Sequence, residues 1–266
     1  MSEGLFLIQS RLRIRTNDPP MNCRIISMRG MTWSTLHMNV CMDNELLSHY
    51  DRHMQGSDKR TSTGIQDFSG TDNQRLNQQL KLTAMIDQMT ETYRHTFLIS
   101  GSRREKDAEH SWHIAVMAML SAEYAAEPFD VGRAVQMCLI HDLIEIRAGD
   151  TFAYDLEGVR TQAEREKKAA DLVSAHLPED QGKMMRSLWE EFDAMQTADA
   201  KYAACMDRLQ PFLNSILPHG SSWEPGKVHR KDVERRNGII QELMPEVYDW
   251  NMKNLDHAVE AGWLEP

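Results

Sequence analysis

From residue 72 to residue 266, apolar side chains recur at three- and four-residue steps in one segment after another. No segment alternates with the two-residue period of a strand, and there are no internal repeats. Leu76, Leu80, Leu82, Met85, Ile86 and Met89 predict an amphipathic helix up to about Tyr93. Gly101-Ser102 breaks the chain, and a loop rich in Arg and Lys follows. Residues 110 to about 125 are apolar around most of the circumference, which predicts a central helix with Trp112 in the core. Pro128-Phe129-Asp130 caps a helix from 131 to about 145. A loop at 151–156 leads to a charged helix through Glu164-Arg165-Glu166-Lys167-Lys168, and Pro178 opens another with Trp189 on its core side. Residues 197–217 are helical again, with Pro211 bending or restarting that helix. Gly220 to Gly226 is a loop whose Trp223 either closes over a nucleobase or buries at a subunit interface. Two helices near 229–243 and 245–260 complete an all-α domain, and 266 residues suffice for one sizeable core.

Residues 1–71 have a different character. They hold eight Lys or Arg against seven Asp or Glu, a net of +1 in a chain of net −10, so residues 72–266 carry −11. With Pro19-Pro20, scattered Ser, Thr and Asn, and no sustained period, they read as a poorly structured N-terminal extension, disordered or loosely packed. A mitochondrial presequence is the minor alternative, since Arg11, Arg13 and Arg15 follow an apolar run, although Glu3 and Asp18 oppose it. An internal start at Met42 is a further alternative.

One part of the helical region is chemically out of place. Leu139-Ile140-His141-Asp142-Leu143-Ile144-Glu145 sets an imidazole and a carboxylate at the end of an apolar run, where burying them unpaired is expensive. A divalent cation removes that difficulty, because both groups are good ligands. Glu145 lies three residues after Asp142 and four after His141, so all three share a helical face. Gly149 lets the chain turn sharply and return the carboxylate of Asp150. Upstream lies Glu109-His110-Ser111-Trp112-His113, and downstream Asp207 sits in a helical stretch. Each piece has a bland reading: His-Asp pairs are common, His110 and His113 suit a helix start, and Asp207 can pair with Arg208. Taken together they point to a His/His-Asp/Asp metal site drawn from three helices.

The order His110, His141-Asp142, Asp207 resembles the H…HD…D signature of HD-domain metal-dependent phosphohydrolases. Ser102-Arg103-Arg104-Glu105, the run from Ala108 to His113, that from Ile140 to Asp150, and Asp207-Arg208-Leu209-Gln210-Pro211 are similar to the 5′-deoxynucleotidase-like branch, across residues 76–264. The resemblance implies an HD-domain helical bundle with His110, His141, Asp142 and Asp207 as metal ligands. It implies Glu145 and Asp150 as the catalytic acids around the attacking water and the leaving group, and Arg94 as the phosphate clamp, with Arg103 and Arg104 as second candidates. The branch has tryptophan directly after that arginine, crowding the sugar, whereas this chain has His95, which leaves the choice between deoxyribose and ribose open. His113, one turn from His110, is then expected to orient a ligand or pack beside the site. The implied reaction is hydrolysis of a nucleoside 5′-monophosphate, expected to be a deoxynucleotide, to nucleoside and phosphate. One divalent ion would serve, Mn²⁺, Co²⁺, Fe²⁺ or Zn²⁺. Homodimerisation follows by analogy only.

Two other readings stand beside this one. A triphosphohydrolase or cyclic-nucleotide phosphodiesterase would need further basic groups or a second metal. A non-catalytic nucleotide sensor with the same fold would be expected to lack Glu145 or Asp150, and both are present. Composition narrows the field further. The charge of −10 opposes binding to a nucleic-acid polymer, while a metal and a few arginines can still make one pocket attractive to a small nucleotide. No run approaches the ~20 apolar residues of a membrane span. Cys23, Cys41, Cys138 and Cys205 form no CxxC pair, so a zinc ribbon is not expected, Cys138 and Cys205 read as core thiols, and a cytoplasmic protein is the expectation.

Overall fold

The computed structural model describes residues 70–223 and 228–266. The predicted N-terminal extension up to residue 69, with Cys23, Cys41, the presequence-like run and Met42, lies outside the described residues. The first helix, α1 (Gln74–Ile86), starts where Asn73 accepts a hydrogen bond from the Leu76 N–H. The remaining helices are α2 (Asp107–Leu120), α3 (Val131–Ile140), α4 (Glu145–Ala148), α5 (Leu156–Ser174), α6 (Glu179–Ala194), α7 (Ala198–Ile216), α8 (Arg230–Leu243) and α9 (Pro245–Glu260). Three of them start at or next to the residues read as their beginnings. Asp130 accepts from the Arg133 N–H, Thr197 accepts from the Ala200 N–H, and Pro178 stands immediately before α6. Pro211 neither breaks nor restarts α7, which runs on to Ile216.

Two local expectations fail. The period read as helical up to Tyr93 ends at Ile86; a 3₁₀ turn, Asp87–Thr90, follows, and then a strand, β1 (Tyr93–Phe97). It pairs antiparallel with β2 (Arg104–Lys106), inside the stretch read as an Arg/Lys-rich loop. Tyr93 and the β-branched Thr96 favour an extended backbone, but β2 is too short to show alternation in a sequence. The second failure is Trp112, which is 65% exposed. It shares that surface with Met119 at 65% and Leu120 at 72%, so the near-continuous apolar circumference of α2 is only partly used by the core.

The main core lies where α2, α3, α7 and α8 meet, around Ile114, Ala118, Met137, Cys138, Tyr202, Met206 and Ile240. Tyr202 is fully buried, donates its hydroxyl to the Ala118 carbonyl at 2.9 Å, and stacks on Phe129 with ring centroids 4.0 Å apart. Cys138 and Cys205 are buried free thiols, and burial pushes Cys205 up to about 12. A second cluster under α9 takes in Phe212, Val233, Leu255 and Trp223. Trp223 is therefore a core residue, packed 6.2 Å from the ring of Phe212. Trp189 is buried as expected. Among the described residues no helix is long and apolar enough to cross a membrane.

Candidate metal centre

Helix α3 ends at Ile140, and the chain tightens into a 3₁₀ turn, His141–Ile144, before α4. With three residues per turn, positions i and i+3 eclipse, so Asp142 and Glu145 are stacked on the same side. Gly149 follows α4 with φ +73°, a conformation that costs a glycine nothing, and the turn brings Asp150 back toward Arg94. His110 comes from the first turn of α2, and Asp207 from the middle of α7.

These elements bring the four expected ligands together. His110 Nε2 is 3.0 Å from Asp207 Oδ1 and 3.7 Å from Asp142 Oδ2. His141 Nε2 is 3.0 Å from Asp142 Oδ1 and 3.6 Å from Asp207 Oδ1. Both imidazoles are fixed from behind through the other nitrogen. His141 Nδ1 is 2.9 Å from the Cys138 carbonyl, which can only accept, and His110 Nδ1 is 3.0 Å from Gln210 Oε1. Each ring is thus set to present Nε2 to the carboxylates, the tautomer a metal ligand requires. His141 Nε2 is buried and has no hydrogen-bond partner. A buried imidazole nitrogen without a partner, aimed between two carboxylates, fits a divalent cation held by two nitrogens and two oxygens.

Gln210 also places His113. Its amide nitrogen lies 3.2 Å from His113 Nδ1 and donates as well to Glu105 Oε1, which in turn accepts from Asn214 Nδ2 at 3.2 Å. His113 therefore joins the site through its hydrogen bond with Gln210, and burial lowers its pKa.

Around the ligands lies a dense set of acids. Arg94 is buried on β1 and its Nη1 donates to Asp142; the same nitrogen is 3.6 Å from Asp107 and 3.9 Å from Asp150. Arg94 Nε is 4.0 Å from Glu105. Burial, and then the charge of Asp142, raise Asp107 to about 7 and Glu145 well above the usual carboxylate range. Burial alone would lower His141, but Asp142 and then Asp207 outweigh it and hold the imidazole up to about 10. Asp207 is pulled the other way: despite burial, Arg208 and the two histidines keep it well below the usual range.

A cavity of about 280 Å³ lies against this cluster, walled by His141, Asp142, Glu145, Asp150 and Asp207 together with Arg94, Arg208 and Arg236. Arg94, Asp150, Arg208 and Arg236 also border an adjoining pocket that contains His95, Phe152 and Trp223. His95 stacks on Phe152 with ring centroids 4.7 Å apart. Arg103 and Arg104 border neither space: both are exposed, and Arg103 is paired with Glu109. The sequence reading assigned no role to Glu105, Asp107, Gln210 or Arg236. Asp107 left a local trace, an acid in the first turn of α2; Glu105 and Gln210 are joined to the site by contacts about a hundred residues apart in the chain, and Arg236 reaches only the cavity wall.

The HD domain family model matches residues 86–248, a span that contains all four ligands. The chain is 28% identical to human 5′-deoxynucleotidase HDDC2 over 164 residues, 60% of this chain and 76% of that protein. It is 26% identical to the Bos taurus protein of the same name, over 63% of this chain and 80% of the relative. A crystal structure from Magnetospirillum magnetotacticum, described as a predicted metal-dependent phosphohydrolase, is 42% identical with a TM-score of 0.68, covering 73% of this chain and 100% of that one. The four-ligand cluster and the family match over more than half of the sequence give one conclusion: this chain belongs to the HD-domain family.

Proposed function

We propose that the protein is a metal-dependent phosphomonoesterase that hydrolyses nucleoside 5′-monophosphates, deoxynucleotides among them, to nucleoside and phosphate. The observation that carries this reading is the convergence of two Nε2 atoms and two carboxylates beside one cavity, where His141, Asp142 and Asp207 line the wall with His110 buried behind them, and the other walls hold four further acids and three arginines. A divalent ion held by His110, His141, Asp142 and Asp207 supplies Lewis acidity toward a phosphoryl oxygen. In this reading Glu145, whose Oε2 is buried without a partner, takes the proton of the attacking water once the charge of the bound ion has displaced its own. In this reading Asp150, half-buried at the junction of the two cavities, relays a proton from solvent to the departing 5′-oxygen. Arg94 faces Asp142, Asp107 and Asp150 together, so it fixes the acids in place and contributes positive charge to the phosphate wall.

The adjoining pocket suits a nucleoside. His95 and Phe152 offer stacked rings, and His95 sits where the similar branch carries tryptophan, so the sugar meets a smaller, polar side chain. The names of the human and bovine relatives support the deoxynucleotide substrate. The proposal extends to a homodimer, supported by the exposed Trp112, Met119 and Leu120 on one helix, and to a cytoplasmic location, supported by the free thiols of Cys138 and Cys205.

The test is a panel of 5′-, 3′- and 2′-monophosphates, triphosphates and cyclic nucleotides, ribo and deoxy, given to protein loaded with one metal at a time. Release confined to 5′-monophosphates supports the reading. Release confined to triphosphates or cyclic nucleotides overturns it.

A further inference from the structure

Arg236 stands apart from the other arginines of the site. Arg94 is surrounded by carboxylates, and Arg208 donates to Asp207. Arg236, on α8, makes no ion pair and donates no hydrogen bond among the described residues, yet it borders both the metal-side cavity and the adjoining pocket. Its environment is unfavourable for a bare cation. Burial first, and then the charge of Arg208, lower its pKa to about 10, with Asp207 and Tyr154 opposing; it remains a cation at neutral pH. Arg208 already shares its charge with Asp207, so Arg236 is left facing a like charge with no carboxylate of its own, an environment that an incoming anion relieves. Arginine is the residue whose planar fork matches phosphate oxygens in pairs.

We propose that Arg236, assisted by Arg208, is the anion receptor of the site and grips the non-bridging oxygens of the substrate's phosphoryl group at the junction of the two cavities. The inference rests on the phosphomonoesterase reading and adds the residue that reads the charge of the substrate. Its position accounts for the division of the space: metal and acids on one side of the guanidinium, the stacked His95 and Phe152 on the other. Tyr154, which borders only the adjoining pocket, is half-buried, and this burial raises its pKa, so it presents a neutral hydroxyl rather than a charge that competes with phosphate.

The experiment uses the metal-loaded protein and inorganic phosphate as probe. Titration calorimetry should show Arg236→Gln weakening phosphate binding by roughly 10- to 100-fold, as expected for loss of charged hydrogen bonds. KM for the hydrolysed monophosphate should rise by a similar factor, with Arg236→Lys in between. The absorption spectrum of the Co²⁺-loaded variant should stay unchanged, which separates loss of the receptor from damage to the metal site. In the wild-type protein, phosphate should shield Arg236 from phenylglyoxal, read by peptide mass spectrometry, and this answers the question even if the variants do not fold. Unchanged phosphate affinity in Arg236→Gln, or equal labelling with and without phosphate, overturns the inference. Monophosphate turnover by the wild type in that case leaves the phosphomonoesterase reading standing. Phosphate bound through Arg236 without any monophosphate turnover sinks that reading and keeps the receptor.

Discussion

Gln210 lies 3.0 Å from His110 through its side-chain oxygen, and through its nitrogen it meets Glu105 and His113, so one buried amide joins α7 to β2 and to both histidines of α2. Only the orientation with the oxygen toward His110 leaves Nε2 of that ring free for a cation. Replacing Gln210 with Leu removes this support without touching a ligand. The variant should bind Co²⁺ or Mn²⁺ roughly 10- to 100-fold more weakly, as loss of a ligand's hydrogen-bond partner usually does. Equal metal affinity in the two proteins, measured by competition with a chelator, would contradict that role.

Metal removal should also cost stability. An ion that binds only the folded state stabilises it by about 2.7 kcal/mol at a hundred times its Kd. Thermal unfolding of stripped protein should therefore shift upward as Mn²⁺ or Co²⁺ is added, and Asp142→Ala should show no such shift. A Tm insensitive to every divalent ion would count against the cluster as a metal site.

The ionisation of His141 gives a pH signature. Its pKa in the ion-free fold is raised to about 10, from an ordinary value near 6.5. A raised histidine pKa stabilises the ion-free fold fully below about 6.5, and that contribution fades as pH climbs through about 10. A cation must displace this proton, so binding at pH 8 should release about one proton from His141. Calorimetry in buffers of different ionisation enthalpy reads the number directly. Zero release at pH 8 would show that His141 is already neutral in the ion-free protein.

In the core, Tyr202→Phe removes the hydroxyl bond to Ala118 and keeps the stack on Phe129. It should cost about 1 kcal/mol in urea unfolding and leave turnover unchanged. A loss of activity at equal stability would tie this residue to the site by a route the packing does not suggest.

The apolar surface of Trp112, Met119 and Leu120 yields a prediction about assembly. Light scattering should give twice the chain mass for the wild type and a single chain mass for Leu120→Glu, because a charge buried at an apolar contact is costly. A wild type that is monomeric at micromolar concentration would end the dimer proposal.

What could be read in the sequence was the part that repeats or clusters locally. The helical period, the cap at Asp130 and the break at Pro178 marked the helices, and His141-Asp142 with Glu145 marked the site because charge at the end of an apolar run is conspicuous. The two-stranded ribbon did not show, because Met85 and Met89 carry the helical rhythm through a 3₁₀ turn and β2 has only three residues. Trp112 looked like core because its helix is apolar nearly all round, and only tertiary packing decides which face stays out. Arg103 and Arg104 were drawn in by proximity in sequence, whereas Arg236, far along the chain, reaches the cavity through the packing of α8 on α7. Gln210 was visible as a letter and not as a role, since its partners at Glu105 and His110 lie a hundred residues away.

The most direct test of the metal centre as the seat of catalysis is phosphate release from deoxynucleoside 5′-monophosphates by metal-stripped protein, with Mn²⁺, Co²⁺, Fe²⁺ or Zn²⁺ restored singly and bound metal quantified in parallel. The account predicts release that rises with bound metal, and none from Asp142→Ala. Stoichiometric metal in the wild-type protein with no release from any monophosphate, or equal release by the stripped protein, would contradict it.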